Sequence, residues 1–188
     1  MSLESRPTPE APDEILVRAA RAGDALAFQA LYQRYARRLY AFFLGYTGDS
    51  GRAEELVNDT FVRVWRALPH YQEEGHFRAW LFRIARNIAT DAHRRRQRRP
   101  VEVPLDEADR DPALAVAPLD ADPRLADIEA VLQTLPPDYR LVLLLRFIEG
   151  LSAAEVARIM ERSPEAVRVL QYRALRALRA KLQSRGQE

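Results

Sequence analysis

The sequence predicts an all-α protein made of two small helical domains joined by a flexible, acidic, proline-rich linker. Apolar residues recur at helical spacing along most of the chain, and no run of alternating β-branched residues indicates a strand. Five of the 12 prolines fall between residues 100 and 123. The charge also changes sign there: residues 1–99 carry a formal +5, residues 100–129 carry −7 and residues 130–188 carry +4. A segment of that composition cannot bury enough apolar surface to fold alone.

These composition changes divide the 188 residues into four segments. We expect a flexible tail at 1–12, a first lobe at 13–99, a linker at 100–123 and a second lobe at 124–183. The absence of cysteine excludes disulfides, thiolate zinc sites and cysteine nucleophiles, and it is compatible with the reducing cytoplasm, where we expect the protein. No apolar run approaches the roughly 20 residues that span a bilayer, so we expect no membrane insertion.

The first two helices follow from their start and stop signals. Asp13, after Pro12, is a candidate N-cap for a helix that ends near Ala22, and Gly23 breaks that helix. Asp24 is a candidate cap for the second helix. Its large side chains follow helical spacing and predict a core face: Phe28, Leu31, Tyr32, Tyr35, Leu39, Phe42, Phe43 and Tyr46.

The third predicted helix, about residues 51–68, has an unusual outer side. A buried stripe runs along one side, and the other side carries an exposed valine and tryptophan among carboxylates. We call this set the docking face: Glu55, Asn58, Asp59, Val62 and Trp65. A partner helix with basic side chains would meet apolar anchors and carboxylates there. An ordinary solvated face is the alternative.

The stretch from His76 to Arg99 predicts an amphipathic helix that suits a nucleic acid. Its apolar stripe runs from Phe77 to Ala92 at helical spacing. A second stripe, which we call the polar edge, is formed by Arg83, Asn87, Thr90 and Arg94. Arg95 belongs to the run of arginines that follows. Arginines along this edge suit the phosphates of a nucleic acid, and the amide suits recognition of its bases. A core helix with a solvated basic flank is the alternative.

The loop at residues 69–75 places Tyr71 beside this basic helix. Aromatic rings next to arginines suit unstacked bases, because every base offers a face for stacking and its phosphate needs a cation. An ordinary polar loop with the tyrosine packed down is equally compatible with the sequence.

The second lobe predicts a helix-turn-helix. A short helix at 125–135 precedes a helix that starts at Pro136-Pro137 and stops at Gly150. Ser152 and Glu155 form a capping box before the helix Ala153–Met160, and Ser163 caps a final helix after a three-residue turn. The outer side of the final helix carries the candidate duplex-reading residues Glu165, Arg168, Val169, Tyr172, Arg173 and Arg176. In such modules the first residues of the second helix meet base edges, while later arginines hold phosphates.

Four segments in order carry a resemblance to a known family. They are GDALAFQALYQRY, AEELVNDTFVRVWRAL, FRAWLFRIARNIATDAHRR and, after the linker, LPPDYRLVLLLRFIEGLSAAEVARIMERSPEAVRVLQYRALRALR. Together they resemble a bacterial RNA polymerase sigma factor of the extracytoplasmic-function (ECF) group of the sigma-70 family. The resemblance covers about residues 13–183, with the linker similar in character only.

The resemblance implies a role for each surface. The docking face matches the segment that binds the clamp helices of the largest subunit of core RNA polymerase, and the polymerase flap is a further expected partner. The loop with Tyr71 and the polar edge match the part that captures the non-template strand of the promoter −10 element, where Asn87 contacts a flipped base. The final helix matches the reader of the duplex −35 element. An anti-sigma factor is the expected inhibitor.

The chain departs from the family pattern at several positions. Asn58 stands where the family often has Gln, and Glu161 stands in the turn where Gly is usual. Val169 and Leu170 replace positions that are often Ser and Arg, which leaves fewer polar groups for reading bases. The promoter sequence therefore does not follow from the resemblance.

The expected role is non-enzymatic, with no catalytic residue, cofactor or metal site. No phosphate loop or nucleophile constellation is present in the sequence, and His70, His76 and His93 share no ligand spacing. A stand-alone helix-turn-helix regulator with an N-terminal sensing lobe is the alternative. An anti-sigma-like interaction protein is disfavoured because both lobes are basic.

Overall fold

The computed structural model describes residues 8–72, 75–98, 128 and 130–185. Every regular element within these ranges is helical, which confirms the all-α prediction. The helices are α1 (Asp13–Arg21), α2 (Ala25–Thr47), α3 (Ser50–Ala67), α4 (Phe77–Arg98), α5 (Pro137–Leu143), α6 (Ala153–Met160) and α7 (Pro164–Arg185). A 3₁₀ turn, Leu68–His70, follows α3, and a π-helical turn, Leu144–Ile148, continues α5. The linker at 100–123 and most of the tail at 1–12 lie outside the described residues.

Capping side chains fix several helix starts as the sequence predicts. The Asp24 carboxylate accepts from the backbone N–H groups of Leu26 and Ala27 at 2.9 and 3.2 Å. The Ser152 hydroxyl accepts from the N–H of Glu155 at 3.2 Å, and the Glu155 carboxylate accepts from the N–H of Ser152 at 2.7 Å. These bonds satisfy N–H groups that lack a partner within the helix.

The prediction that Asp13 caps α1 is wrong. Pro12 occupies the N-cap position, and the Asp13 side chain makes no capping bond. Its carboxylate accepts instead from Arg34 Nη1 at 2.5 Å and from the Tyr35 hydroxyl on α2. A charged guanidinium is a stronger partner for a carboxylate than a backbone N–H, so the tertiary contact replaces the local one.

The first-lobe core lies between α2, α3 and α4. Phe42, Leu81 and Phe82 have no exposed surface, and the Phe42 ring meets the Phe82 ring edge-on at 5.7 Å. Phe82 lies off the apolar stripe that the sequence predicts for this helix. Its burial shows that α4 is covered on a second side as well.

That second side of α4 faces the second lobe, because α6 packs against α4 and the π turn packs against α2. A Cβ built on Gly45 would lie 2.5 Å from Leu144 Cδ2. Arg140, buried at 6% exposure, donates from Nη1 to the carbonyl of Tyr46 at 2.6 Å. Gln133 Nε2 donates to the carbonyl of Gly45 at 2.9 Å. The two lobes therefore share one continuous core, a contact that the sequence pattern does not predict.

Ion pairs also cross between the lobes. Arg38 Nε donates to Glu149 Oε2 at 3.0 Å, and Arg38 Nη2 donates to the Glu149 carbonyl at 3.0 Å. Arg78 Nη2 donates to Glu155 Oε1 at 2.9 Å. The π turn helps to place Glu149, whose N–H bonds to the carbonyl of Leu144 five residues earlier. Such turns are rare and often mark sites under a functional constraint.

Burial raises the pKa of the Glu149 carboxyl to about 7, although the positive charges of Arg38 and Arg78 oppose the shift. The side chain is 2% exposed. Because the folded-state pKa lies above the value of 4.5 for an exposed glutamate, the folded chain binds this proton more tightly than the unfolded chain. The protonated Glu149 carboxyl therefore contributes its full stabilisation below about pH 4.5. That stabilisation is lost as the pH rises through about 7.

We predict that Glu149→Gln makes the free energy of unfolding less dependent on pH. The amide oxygen still accepts from Arg38, and no buried charge forms at high pH. Relative to its value at pH 5, the variant should gain about 2–3 kcal/mol on the parent chain by pH 8, because the pKa of the Glu149 carboxyl is raised from 4.5 to about 7. Urea unfolding of both chains at pH 5, 6, 7 and 8 measures this. Parallel curves for the two chains would contradict the assignment.

Candidate nucleic-acid interface

The polar edge lies along a side of α4 that stays accessible to solvent at Asn87 and Arg94. Phe77, Leu81 and Ile88 turn towards the first-lobe core, while Arg78 faces the second lobe. Between these two sides Asn87 and Arg94 are exposed, and Arg83 and Thr90 are half-buried. Arg95, at the basic end, is exposed as well. The structure therefore brings the four predicted residues of the polar edge and Arg95 together along one accessible strip.

Arg86 is a neighbour of the polar edge that sequence reasoning missed. Its Nη1 donates to Asn87 Oδ1 at 3.0 Å, so the amide of Asn87 is held in place by a cation. The same Nη1 lies 4.0 Å from Glu161 Oε1 on the second lobe. The Thr90 hydroxyl donates to the Arg86 carbonyl at 2.8 Å. On the helical wheel Arg86 adjoins the polar edge, because it lies three positions after Arg83 and four positions before Thr90.

The expectation that Tyr71 stacks on a base is wrong for this structure. Tyr71 is 4% exposed. Its ring packs at 4.7 Å from the ring of Trp80 and at 6.0 Å from that of Phe77. Burying a large aromatic surface is worth more than leaving it in water, so the loop folds its tyrosine inward. The packed-down alternative for this loop is the one observed.

The docking face lies on α3, on the side away from the core. Val62 and Trp65 are 49% and 46% exposed. Trp65 is held from behind by Phe28, whose ring lies 4.7 Å away at an interplanar angle of 71°. Glu55 and Asp59 are exposed. Two apolar side chains flanked by carboxylates form a surface that suits a basic, partly apolar protein partner.

Asn58 is the half-buried member of the docking face. Because α3 packs on α4, the docking face and the polar edge lie on neighbouring helices. A protein partner and a nucleic acid could therefore occupy the first lobe together.

The helix-turn-helix presents a basic outer surface on α7. The predicted contact residues Glu165, Arg168, Val169, Tyr172, Arg173 and Arg176 are all exposed. The Arg176 guanidinium lies 5.9 Å from the centre of the Tyr172 ring, and Glu165 pairs with Arg168 at 3.3 Å. Val167 and Ala174 on the opposite side are fully buried. The inner side thus fixes the helix, and the outer side is available to a duplex.

The turn of this module is strained at Glu161. This residue ends α6 in the left-handed conformation, with φ 55° and ψ 46°. Residues other than Gly adopt this region at a cost, because their Cβ approaches the neighbouring backbone. The turn therefore accommodates the side chain that the sequence places there, in a geometry that glycine would adopt more easily.

Phe147 and Ile148 form an exposed apolar pair at the end of the π turn. They are 56% and 53% exposed. The sequence pattern includes both residues in the apolar run of this helix, but in the structure they lie in the π turn and are exposed. Adjacent exposed apolar residues of this size often mark a contact with another protein.

The described residues hold no group of three or more His, Asp or Glu side chains that could bind a metal ion. None of the helices in the described ranges is long and apolar enough to cross a membrane.

Comparisons with protein families match both lobes. A family model described as Sigma-70 region 2 matches residues 31–99, and one described as Sigma-70, region 4 matches residues 125–178. The chain is 37% identical over 170 residues to the ECF RNA polymerase sigma factor BldN of Streptomyces coelicolor. It is 34% identical over 160 residues to the RNA polymerase sigma factor CarQ of Myxococcus xanthus. It is 30% identical over 187 residues to the ECF RNA polymerase sigma-E factor of Escherichia coli.

These alignments cover 87%, 85% and 91% of this chain, respectively. They cover 63% of BldN, 91% of CarQ and 94% of the sigma-E factor. The chain likewise spans 64% of the ECF RNA polymerase sigma factor SigE of Mycolicibacterium smegmatis. It therefore spans less than two thirds of the length of two of these relatives.

Solved structures share the fold. CnrH, in its complex with the cytosolic domain of CnrY, matches with a TM-score of 0.69 at 30% identity, covering 92% of this chain and 97% of CnrH. The sigma factor RpoE from Bartonella quintana, solved with the anti-sigma factor NepR, matches with a TM-score of 0.68 at 24% identity. That match covers 83% of this chain and 96% of RpoE, and it bears on the fold alone.

We predict that Glu161→Gly stabilises the chain by about 1 kcal/mol, because glycine adopts the left-handed conformation without the steric cost of a Cβ. The lost pairing with Arg86 takes little from this gain, since Glu161 is largely exposed and the atoms lie 4.0 Å apart. Urea unfolding measures the difference. Glu161→Ala is the matched control and should give no gain, since alanine keeps the Cβ. Equal stabilisation by both variants would contradict the account.

Proposed function

Because the chain belongs to the extracytoplasmic-function group of the sigma-70 family of RNA polymerase sigma factors, we propose that it is a non-catalytic, cytoplasmic transcription initiation factor. It binds core RNA polymerase, recognises promoter −10 and −35 elements and assists promoter melting. One observation carries this proposal: an exposed surface on α3 with apolar and acidic side chains lies on a helix that packs against α4, which carries the arginine-and-amide edge.

The docking face is the proposed contact with the clamp helices of the largest polymerase subunit. Val62 and Trp65 supply apolar anchors, and Glu55 and Asp59 supply charges for basic partner residues. Anchors of this kind contribute most of the affinity of an interface, while charges at its rim orient the partner and speed association. Asn58 contributes through its amide.

The polar edge is the proposed contact with the non-template strand of the −10 element. Removing a base from the stack costs a few kcal/mol, least at weak A·T-rich steps. Arg83, Arg94 and Arg95 offset this cost by holding phosphates, and Asn87 offers an amide to the edge of the flipped base. The Arg86–Asn87 hydrogen bond supports the proposal because it orients that amide before the base arrives.

The outer surface of α7 is the proposed reader of the duplex −35 element. Residues near its start, Glu165, Arg168 and Val169, would meet base edges, and Arg173 and Arg176 would hold phosphates. A valine in this position contacts the methyl group of thymine and not a hydrogen-bonding group. Recognition of the −35 base sequence by α7 should therefore depend on a few polar contacts.

The remaining partners are the polymerase flap and an anti-sigma factor. For the flap we assign the exposed pair Phe147 and Ile148, an apolar surface of the second lobe outside α7. For the anti-sigma factor, the resemblance to the family is the support, and its type stays open.

A stand-alone helix-turn-helix regulator would use α7 but would give the docking face no partner. Capture of purified core polymerase by the immobilised chain distinguishes an initiation factor from a stand-alone regulator. Binding to core, followed by run-off transcription from a genomic promoter pool, is the expected result. Tight binding to duplex DNA without any binding to core would overturn the initiation-factor proposal.

We predict that Asn87→Ala lowers the yield of open promoter complexes about tenfold, which is the cost of losing a good amide–base contact. Core binding should be unchanged, because Asn87 lies outside the docking face. Permanganate reactivity of unpaired thymines measures opening, and a core pull-down measures binding. Val62→Glu is the reciprocal variant, which should lose core binding while keeping the duplex affinity of the second lobe. Loss of core binding by Asn87→Ala would mean that the two surfaces are assigned the wrong way round.

A further inference from the structure

We propose that Arg86 is a specificity-determining residue, because it occupies the oxygen of the Asn87 amide and leaves only donors for the flipped base. The pair then favours a base edge with two neighbouring acceptors, such as O6 and N7 of guanine or N3 and O2 of cytosine, and disfavours adenine. The inference rests on the proposed function, and it adds a second residue to the reading of the −10 element.

The orientation of the Asn87 amide follows from the chemistry of its neighbour. Arg86 Nη1 lies 3.0 Å from Asn87 Oδ1. A guanidinium carries only donors, whereas an amide has a donor group at one end and an acceptor at the other. The end of Asn87 that meets Arg86 is therefore the oxygen, since the reverse orientation would place two donors against each other. The NH2 group of Asn87 is the end left for a base.

Packing holds the Arg86 side chain in place for this contact. The side chain is 25% exposed, and its Nε atom is buried. A side chain that is packed along its stem loses little further rotamer freedom when its end forms a hydrogen bond. The bond is also charge-assisted, and such bonds are roughly twice as strong as neutral ones. The contact is therefore firmer than one between two freely moving surface side chains.

The buried Nε of Arg86 indicates that its guanidinium has a use at the outer end. This N–H group has no hydrogen-bond partner among the described residues. A buried donor without a partner destabilises the chain, and a hydrocarbon side chain at position 86 would avoid that cost. Packing of the stem alone therefore does not account for an arginine here.

Glu161 is the carboxylate that could compete for the Arg86 guanidinium. Its Oε1 atom lies 4.0 Å from Arg86 Nη1, beyond hydrogen-bond distance, and its side chain is 69% exposed. Exposed ion pairs at this separation contribute little. Asn87 Oδ1 is thus the nearer partner of the same nitrogen. Because Arg86 and Asn87 both lie on α4, their contact does not require the second lobe.

The occupied oxygen changes which bases suit Asn87. A free asparagine amide binds adenine well, because its oxygen accepts from N6 while its NH2 group donates to N7. In this chain a guanidinium already donates to that oxygen, so an approaching N6 amino group would meet a positive charge. The NH2 group of Asn87 and the outer N–H groups of Arg86 are all donors. Two donors side by side match two neighbouring acceptors on a base edge.

The alternative role of Arg86 is a contact with a phosphate. Arginines bind phosphates without regard to the base, and each such contact adds to the salt dependence of binding. Base preference and salt dependence therefore separate the two roles. An arginine that orients Asn87 affects base preference, whereas an arginine that holds a phosphate affects salt dependence.

The test uses holoenzyme, assembled from core polymerase and the full chain, on forked promoter DNA whose −10 non-template strand is unpaired. Each unpaired position carries each of the four bases in turn, and Asn87→Ala identifies the position whose base preference depends on the amide. Arg86→Met is the test variant, because it keeps a long packed stem and removes the guanidinium. Arg86→Lys tests rescue by another donor. Arg94→Ala is the matched control, an exposed arginine of the polar edge.

At that position the parent chain should bind guanine or cytosine about tenfold more tightly than adenine, which is the size of one good amide–base contact. Arg86→Met should reduce this preference to about threefold or less, chiefly by improving the binding of adenine, without changing the salt dependence. Arg86→Lys should restore part of the preference. Arg94→Ala should weaken binding of all four bases equally and lower the salt slope by about one. Every variant should bind core as the parent does.

Nuclear relaxation of the Asn87 side-chain NH2 group in the free chain tests the orientation without DNA or polymerase. The amide should be ordered in the parent chain and mobile in Arg86→Met. An amide that is equally mobile in both chains would contradict the positioning role of Arg86.

Three results on forked DNA would overturn the inference. They are a parent chain that prefers adenine, a base preference that survives in Arg86→Met, and a loss in Arg86→Met that is equal for all four bases with a lower salt slope. If Asn87→Ala altered no base preference at any position, the proposed −10 role of Asn87 would fail, and the inference would fail with it. A preference that Asn87→Ala removes and Arg86→Met keeps would reject the inference alone.

Discussion

The burial of α4 on two of its sides is the constraint on which the rest of the structure depends. One side completes the first-lobe core with Leu81 and Ile88, and the other is covered by the second lobe. Among the α4 side chains that the structure describes, the sector around Asn87 stays accessible, so the packing of the two lobes determines where the arginine-and-amide strip lies. The same helix holds α3 in place from behind, which turns the docking face outward. Two surfaces of different chemistry thus result from one packing arrangement.

Local rules account for much of the fold and for most of the candidate site. The caps at Asp24 and Ser152 and the exposed strip on α4 follow from side-chain chemistry within a few residues. Local rules fail at Asp13, where an arginine on the next helix is a better partner than the nearby backbone, and they leave the packing of Tyr71 against Trp80 undecided. The resemblance to the ECF sigma factors is confirmed by family comparisons over both lobes. The roles assigned to single residues stay predictions.

The contact between the lobes could not be predicted from periodicity, because it joins residues about 100 positions apart across a linker whose composition favours separation. Its only local signals are a glycine within α2 and a buried acid after α5. Each has an ordinary explanation when seen alone. In the structure they meet at the π turn, where Gly45 admits Leu144 and Arg38 holds Glu149.

Site-specific photocrosslinking in the complex with core polymerase and promoter DNA tests most directly whether the docking face contacts polymerase and the polar edge contacts DNA. A benzophenone amino acid replaces either Val62 or Asn87, both exposed positions on neighbouring helices. The account predicts that the probe at 62 labels the largest polymerase subunit and that the probe at 87 labels the non-template strand of the −10 element. Labelling of DNA from position 62, or of polymerase alone from position 87, would contradict it.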